Sequence, residues 1–159
     1  MICTECGFSY DETLDVPTLI TTGLAEMATL LTEDTRSRRT PTVWSPLEYA
    51  CHVRDMLLVQ RERVLLARRE NRPDCVPMGR DERGDHDGYA EQNPEDVARQ
   101  LTDAGMLFTN VLRRLPESAW NRTVLYHYPE PADRTLRWVA LHTLHEVHHH
   151  LLDIRHQLS

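Results

Sequence analysis

Lysine is missing altogether: all 18 basic residues of the 159-residue chain are arginine. The bias reads as the codon usage of a GC-rich bacterial genome and has no bearing on the fold. Also missing is any apolar run of the roughly 20 residues needed to cross a bilayer, so no membrane-spanning helix is expected. The opening Met1-Ile2-Cys3-Thr4-Glu5-Cys6 lacks the basic and apolar regions of a secretory signal, and a soluble, cytoplasmic protein is expected. Positive charge is nowhere gathered into a stripe, and the formal net charge is -7. Nucleic-acid binding needs a basic footprint, so that class is excluded. There is no G-x-S-x-G elbow and no phosphate-binding P-loop. Four cysteines are too few to suggest a disulfide scaffold. The nine histidines, crowded towards the C-terminus, are in excess. Imidazole is the commonest metal ligand, so they point to metal chemistry.

The length suits one domain, residues 1–159, with a core of its own. Residues 1–12 read as an extended lead-in carrying Cys3-x-x-Cys6. A first helix is expected from about Asp15 or Pro17 to Leu31, with Leu19, Leu24, Met27 and Leu31 as its apolar stripe. Ser45-Pro46-Leu47-Glu48 forms a capping box with proline at the first helical position, and the second helix should run through Leu66 and Ala67. Residues 71–92, rich in Pro, Gly and Asp, read as a long loop. Asn93-Pro94 opens a third helix reaching about Arg114. Residues 121–134 read as an irregular crossing segment, with a doubtful strand at Thr123–Tyr126. The last helix should span Thr135 to Gln157. Four long helices with long connections predict an all-α, four-helix bundle.

The last helix contains Leu144-His145-Glu146-Val147-His148-His149-His150. Two pairs one turn apart can be drawn from it, His145/His149 and Glu146/His150. Leu136, Ala140, Leu144, Val147, Leu151, Ile154 and Leu158 recur at helical spacing and mark the core face. Glu146 and His150 fall roughly 60–100° to one side of Val147, whereas His145 and His149 fall nearly opposite the core and are expected to be exposed. Bundle metals are held by inward side chains, which favours Glu146/His150. His145-Glu146-x-x-His149 also spells the zinc-protease H-E-x-x-H, but the chain ends too soon for the usual downstream third ligand. His52, on one stripe with Tyr49, Met56 and Val59, is the natural third ligand, and three protein ligands leave a catalytic metal an open position.

Trp44-Ser45, Cys51-His52-Val53-Arg54-Asp55 and His145-Glu146-x-x-His149-His150-x-x-Asp153-Ile154 together resemble the DinB-like metalloprotein superfamily. Cys3-x-x-Cys6-Gly7-Phe8 and Tyr89-Ala90-Glu91-Gln92-Asn93-Pro94 resemble a bacterial branch of it. The resemblance implies a four-helix bundle of up-down-down-up type. Its divalent metal, usually zinc or nickel, would be held by one histidine on the second helix and a pair four apart on the last. Residue by residue that is His52, Glu146 and His150, with Glu146 replacing the more usual histidine, as in relatives similar to mycothiol-dependent maleylpyruvate isomerase.

The expected activity is metal-dependent thiol S-transfer or isomerisation, joining a small electrophile to a low-molecular-weight thiol such as mycothiol. Zinc is the first choice of ion, with nickel, iron and manganese also compatible with mixed N/O ligation. The alternatives are a hydrolase using metal-bound water and a non-enzymatic metal-binding or stress-response protein. A weaker stripe of Trp138, Leu141 and Leu152 suggests a homodimer or packing against the crossing segment. Residues acting on substrate are sought in the 71–92 loop, where Asp81, Asp85 and His86 cluster, without assigned roles. Tyr126-His127-Tyr128 is read as a surface turn rather than the mouth of the site. Cys51 is read as core filler. Cys3 and Cys6 are read as reduced thiols, the alternative being a second zinc completed by Cys51, Cys75 or a histidine.

Overall fold

The computed structural model describes residues 1–159. Four long helices carry the core: α1 (Val16–Leu30), α2 (Pro46–Arg69), α4 (Pro94–Arg113) and α5 (Leu136–Leu158), with a short α3 (Arg80–His86) between the second and third of them. Each long helix starts on a side-chain cap. Asp15, Ser45, Asn93 and Thr135 accept the amides of Thr18, Glu48, Asp96 and Trp138. These bonds satisfy donors that the helix itself leaves unpaired. The Ser45 box is reciprocal, Glu48 accepting the Ser45 amide at 2.8 Å. Arg38 clamps the same buried carboxylate through two bonds of 2.7 and 2.8 Å.

Cross-helix contacts fix the direction of each helix. Gln60 of α2 reaches Thr143 of α5, while His52 lies beside His150, so α2 and α5 are antiparallel. Along α2, Cys51 reaches Gln92 just before α4 and Arg54 reaches Gln100, while along α1, Gly23 lies against Val147 and Glu26 against Arg155 of α5, so those pairs run the same way. The order is up-down-down-up. At Gly105 of α4 an added Cβ would sit 2.3 Å from Leu24 Cδ1, so the absence of a side chain is what lets α1 and α4 approach. Ile20, wholly buried, faces the core on α1, and Leu19 of the expected stripe is 40% exposed. Leu158, the last residue of α5, is likewise exposed.

Two connections differ from the expected loops. Residues 71–92 hold β1 (Asp74–Cys75), α3 and a 3-10 turn at Tyr89–Glu91. The crossing segment is a hairpin, β2 (Thr123–His127) with β3 (Pro131–Thr135), and β1 pairs parallel to β2. The doubtful strand is real. Val124 and Tyr126 are buried and Thr123, Leu125 and His127 are half-buried, a strand alternation that needs a partner to become visible. No helix is long and apolar enough to cross a membrane. Trp138 is spent within the chain, stacked against both Tyr10 and His142 and edge-on to Tyr126. It packs on the crossing segment, at Tyr126 of β2.

Candidate metal centre

His52 sits on the second turn of α2, inside the bundle, because Leu47, Ala50, Cys51 and Val53 around it are all completely buried. Glu146 and His150 project from one face of α5 towards it. The structure brings the three together: one donor atom from each lies within 4.8 Å of the others. The rings of His52 and His150 meet edge to face at 5.0 Å. Glu146 Oε2 is 3.4 Å from His150 Nε2. The other nitrogen of His150, Nδ1, lies 2.9 Å from the Asp153 carboxylate. A carboxylate on Nδ1 fixes the tautomer and turns Nε2 to a metal, as second-shell partners do. His52 Nδ1 is buried without any hydrogen-bond partner. An orphaned imidazole nitrogen beside a carboxylate and a second imidazole fits a divalent ion with mixed N/O ligation.

Burial sets the charge of the site. It pushes the His52 pKa down from 6.5 to about 3, helped by the positive charge of His150 and Arg80 nearby. His142, one turn before Glu146, falls to about 4 for the same reason. Burial works to raise the Glu146 carboxyl, yet hydrogen bonds from His145 and His150 win and hold it far below the usual range. For His150, burial works downward and is outweighed by Asp153 and Glu146, so its pKa is raised. The centre is therefore an ionised carboxylate among imidazoles, one of them firmly neutral.

Two adjoining cavities, about 390 and 260 Å³, meet at Glu146, and Arg80 and Tyr128 line both. Arg80 is held with its guanidinium 4.4 Å over the Trp44 ring. Asp81, Asp85 and His86 are exposed on α3 and line neither cavity. Arg80 is the residue of that segment which reaches the site, a role with no signal in the sequence. Tyr126-His127-Tyr128 is a wall of the smaller cavity, not a surface turn. Tyr126 is anchored there by a buried bond from Gln60 at 3.0 Å, and Gln60 also donates to Thr143 at 3.1 Å.

The outward face of α5 is a correction. His145 is only 3% exposed, and His149 is half-buried, because residues 3–10 fold over them. Phe8 packs on His145 and His148, and Tyr10 donates to or accepts from His142 Nδ1 at 2.9 Å and His145 Nδ1 at 3.2 Å. The backbone amide of Cys6 leads in drawing the Cys3 thiol down to about 6, whereas burial pushes the Cys6 thiol up. Cys51 is completely buried core, as expected.

The sequence profile of the DinB superfamily matches residues 21–154, which include every residue of the inner set. No curated protein sequence gives a significant match. Among solved structures, YfiT from Bacillus subtilis, described as "a probable metal-dependent hydrolase with an unusual four-helix bundle topology", superposes with a TM-score of 0.73 at 18% identity, over 99% of this chain and 90% of that one. At that identity the likeness is one of fold.

Proposed function

The chain belongs to the DinB superfamily, and from that premise we propose that it is a divalent-metal-dependent enzyme whose ion is held by His52, Glu146 and His150. The observation that carries the reading is that buried His52, one of whose ring nitrogens has no hydrogen-bond partner, brings a donor atom within 4.8 Å of donor atoms of Glu146 and His150. Such an ion would supply Lewis-acid polarisation and a lowered pKa for a coordinated water or thiol. Three protein ligands leave room for that fourth partner.

The surrounding residues prepare the site. His52 is neutral and Glu146 ionised, the protonation states that ligands need. Asp153 orients His150. Arg80 at the wall of both cavities offers a planar cation to a substrate carboxylate. The Tyr128 ring stacks on His142, with ring centroids 4.9 Å apart, and shields the approach to Glu146.

Two cavities meeting at one carboxylate favour a two-reactant reaction, in which a low-molecular-weight thiol such as mycothiol attacks a small electrophile. Hydrolysis, needing one organic substrate, is the second reading, supported by the fold shared with YfiT. Zinc is the ion of choice. The test is to give the zinc-loaded protein electrophiles with mycothiol, and esters and amides without it. Thiol consumption that disappears in His52→Ala supports transfer. Turnover of esters or amides alone supports hydrolysis. No turnover in either arm would overturn the enzyme and leave a metal-binding protein.

A further inference from the structure

Cys3 and Cys6 take no part in the inner set, yet the backbone around them is built. Gly7 follows them in the left-handed region, φ +73°, where a side chain would be strained. Its amide donates to Cys3 O at 2.9 Å, Cys3 N–H donates to Phe8 O at 2.9 Å, and Ile2 bridges Ser9. The result is a tight turn that presents both sulfurs to the outward face of α5. There His145 and His149 stand one turn apart.

Donor atoms of Cys3, Cys6, His145 and His149 all lie within 4.8 Å of one another, with Cys3 Sγ 4.0 Å from His149 Nδ1. A tetrahedral zinc with Zn–S of about 2.3 Å and Zn–N of about 2.0 Å needs its donors roughly 3.3–3.8 Å apart. A second, independent observation points the same way: His145 Nε2 is buried and has no hydrogen-bond partner. Its other nitrogen, Nδ1, is engaged by the Tyr10 hydroxyl and by Glu146 Oε1 at 3.4 Å. In His149, Nε2 faces Glu5 at 3.4 Å and Asp153 at 3.8 Å, which leaves Nδ1 to the sulfur side. Each imidazole thus has one nitrogen beside an oxygen; the other faces Cys3 Sγ in His149 and is buried and unpartnered in His145, as a nitrogen left for a metal would be.

We propose that Cys3, Cys6, His145 and His149 form a second, closed Cys2His2 zinc site, distinct from the inner His52–Glu146–His150 set. Two thiolates and two imidazoles select zinc over hard cations, and four protein ligands leave no open position, so the site is structural. It fastens the N-terminal turn, which forms one wall of the larger cavity, to α5. His145 touches both centres, through Nε2 outward and through Nδ1 to Glu146 inward.

The test uses full-length protein stripped with a chelator and titrated with cobalt(II), then zinc(II). Wild type should develop an intense thiolate-to-cobalt charge-transfer band, bleached by zinc. The band should survive in the His52→Ala/His150→Ala variant and vanish in Cys3→Ser/Cys6→Ser, whose zinc content should fall by one ion per chain. Wild type without the band, or a cysteine variant that keeps both band and zinc, would overturn the site. Because the cysteine variant could fail to fold, thiol labelling of native wild type supplies an independent arm. Zinc should protect Cys3 and Cys6 from the reagent, and equal labelling with and without zinc would also overturn the proposal.

Discussion

The same two turns of α5 carry two donor sets offset by one residue, about 100° apart around the helix. Inward, Glu146 and His150 meet His52 beside two cavities, a three-donor set with room left over. Outward, His145 and His149 meet two thiols under a folded-over chain end, a four-donor set with none. The difference lies in what covers each face. A neighbouring helix can lend one imidazole at a fixed height and keep a cleft open, as α2 does. A tight turn of chain can lend two sulfurs at once and complete a four-donor set. Open sets suit reactions and closed ones suit fastening.

The sharpest way to break this contrast is to remove an inner ligand alone. His150→Ala should weaken inner-site metal binding by more than the ~10–100-fold that follows loss of a second-shell partner, and should leave the outer thiolate–cobalt band intact. Competition with a chromophoric chelator measures the first and absorbance the second. If both fall together, the two sets are one unit and the contrast is wrong. Asp153→Asn comes next. Its carboxylate is 2.9 Å from His150 Nδ1 and 3.8 Å from His149 Nε2, so the inner affinity should drop by about 10–100-fold and the outer by less.

A third effect separates two ligands of the inner set by acid. In the metal-free protein His52 keeps its pKa near 3 in the fold against 6.5 when unfolded. Between those values the unfolded chain binds the extra proton, so stability is present above pH 6.5 and is lost as pH falls towards 3. His150 has the opposite sign: its raised pKa adds stability below the ordinary value and loses it as pH rises through the raised one. Replacing His52 with leucine should therefore flatten the acid side of the stability curve by about one proton, near 1.4 kcal/mol per pH unit. Urea unfolding at several pH values reads this out. A curve as steep as wild type would mean that His52 is not the neutral, buried group described.

What was legible in advance follows the same divide. The caps at Ser45, Asn93 and Thr135 are local, so helix starts could be read from neighbouring residues. The spacing of Leu144, Val147 and Leu151 located the core, and with it the inward direction of Glu146 and His150. His145 and His149 were expected in water because helical spacing describes one helix and is blind to what lies on top of it. Their cover comes from Phe8 and Tyr10, more than a hundred residues earlier in the chain. Asp74–Cys75 is too short a strand to show any period, and Arg80 reaches the cavities only because β1 and α3 fold as they do. The sequence carried a Cys-x-x-Cys signal and a histidine signal, and left open whether a histidine, and which one, completes a site with the thiols.

The smallest effect tests the hinge between the sets. The Tyr10 hydroxyl touches His142 Nδ1 at 2.9 Å and His145 Nδ1 at 3.2 Å, so it steadies two imidazoles that face Glu146 Oε1. Tyr10→Phe keeps the ring stacked on Trp138 and removes only the oxygen. The loss of stability should be about 1 kcal/mol, the ordinary worth of a partly buried hydrogen bond, seen as a few degrees in Tm. Metal affinity should shift more at the outer site, where Tyr10 orients a ligand directly, than at the inner one, which it reaches only through His145 and Glu146. Equal shifts would mean that Glu146, not the N-terminal turn, holds His145 in place, and the two donor sets would then act as one unit.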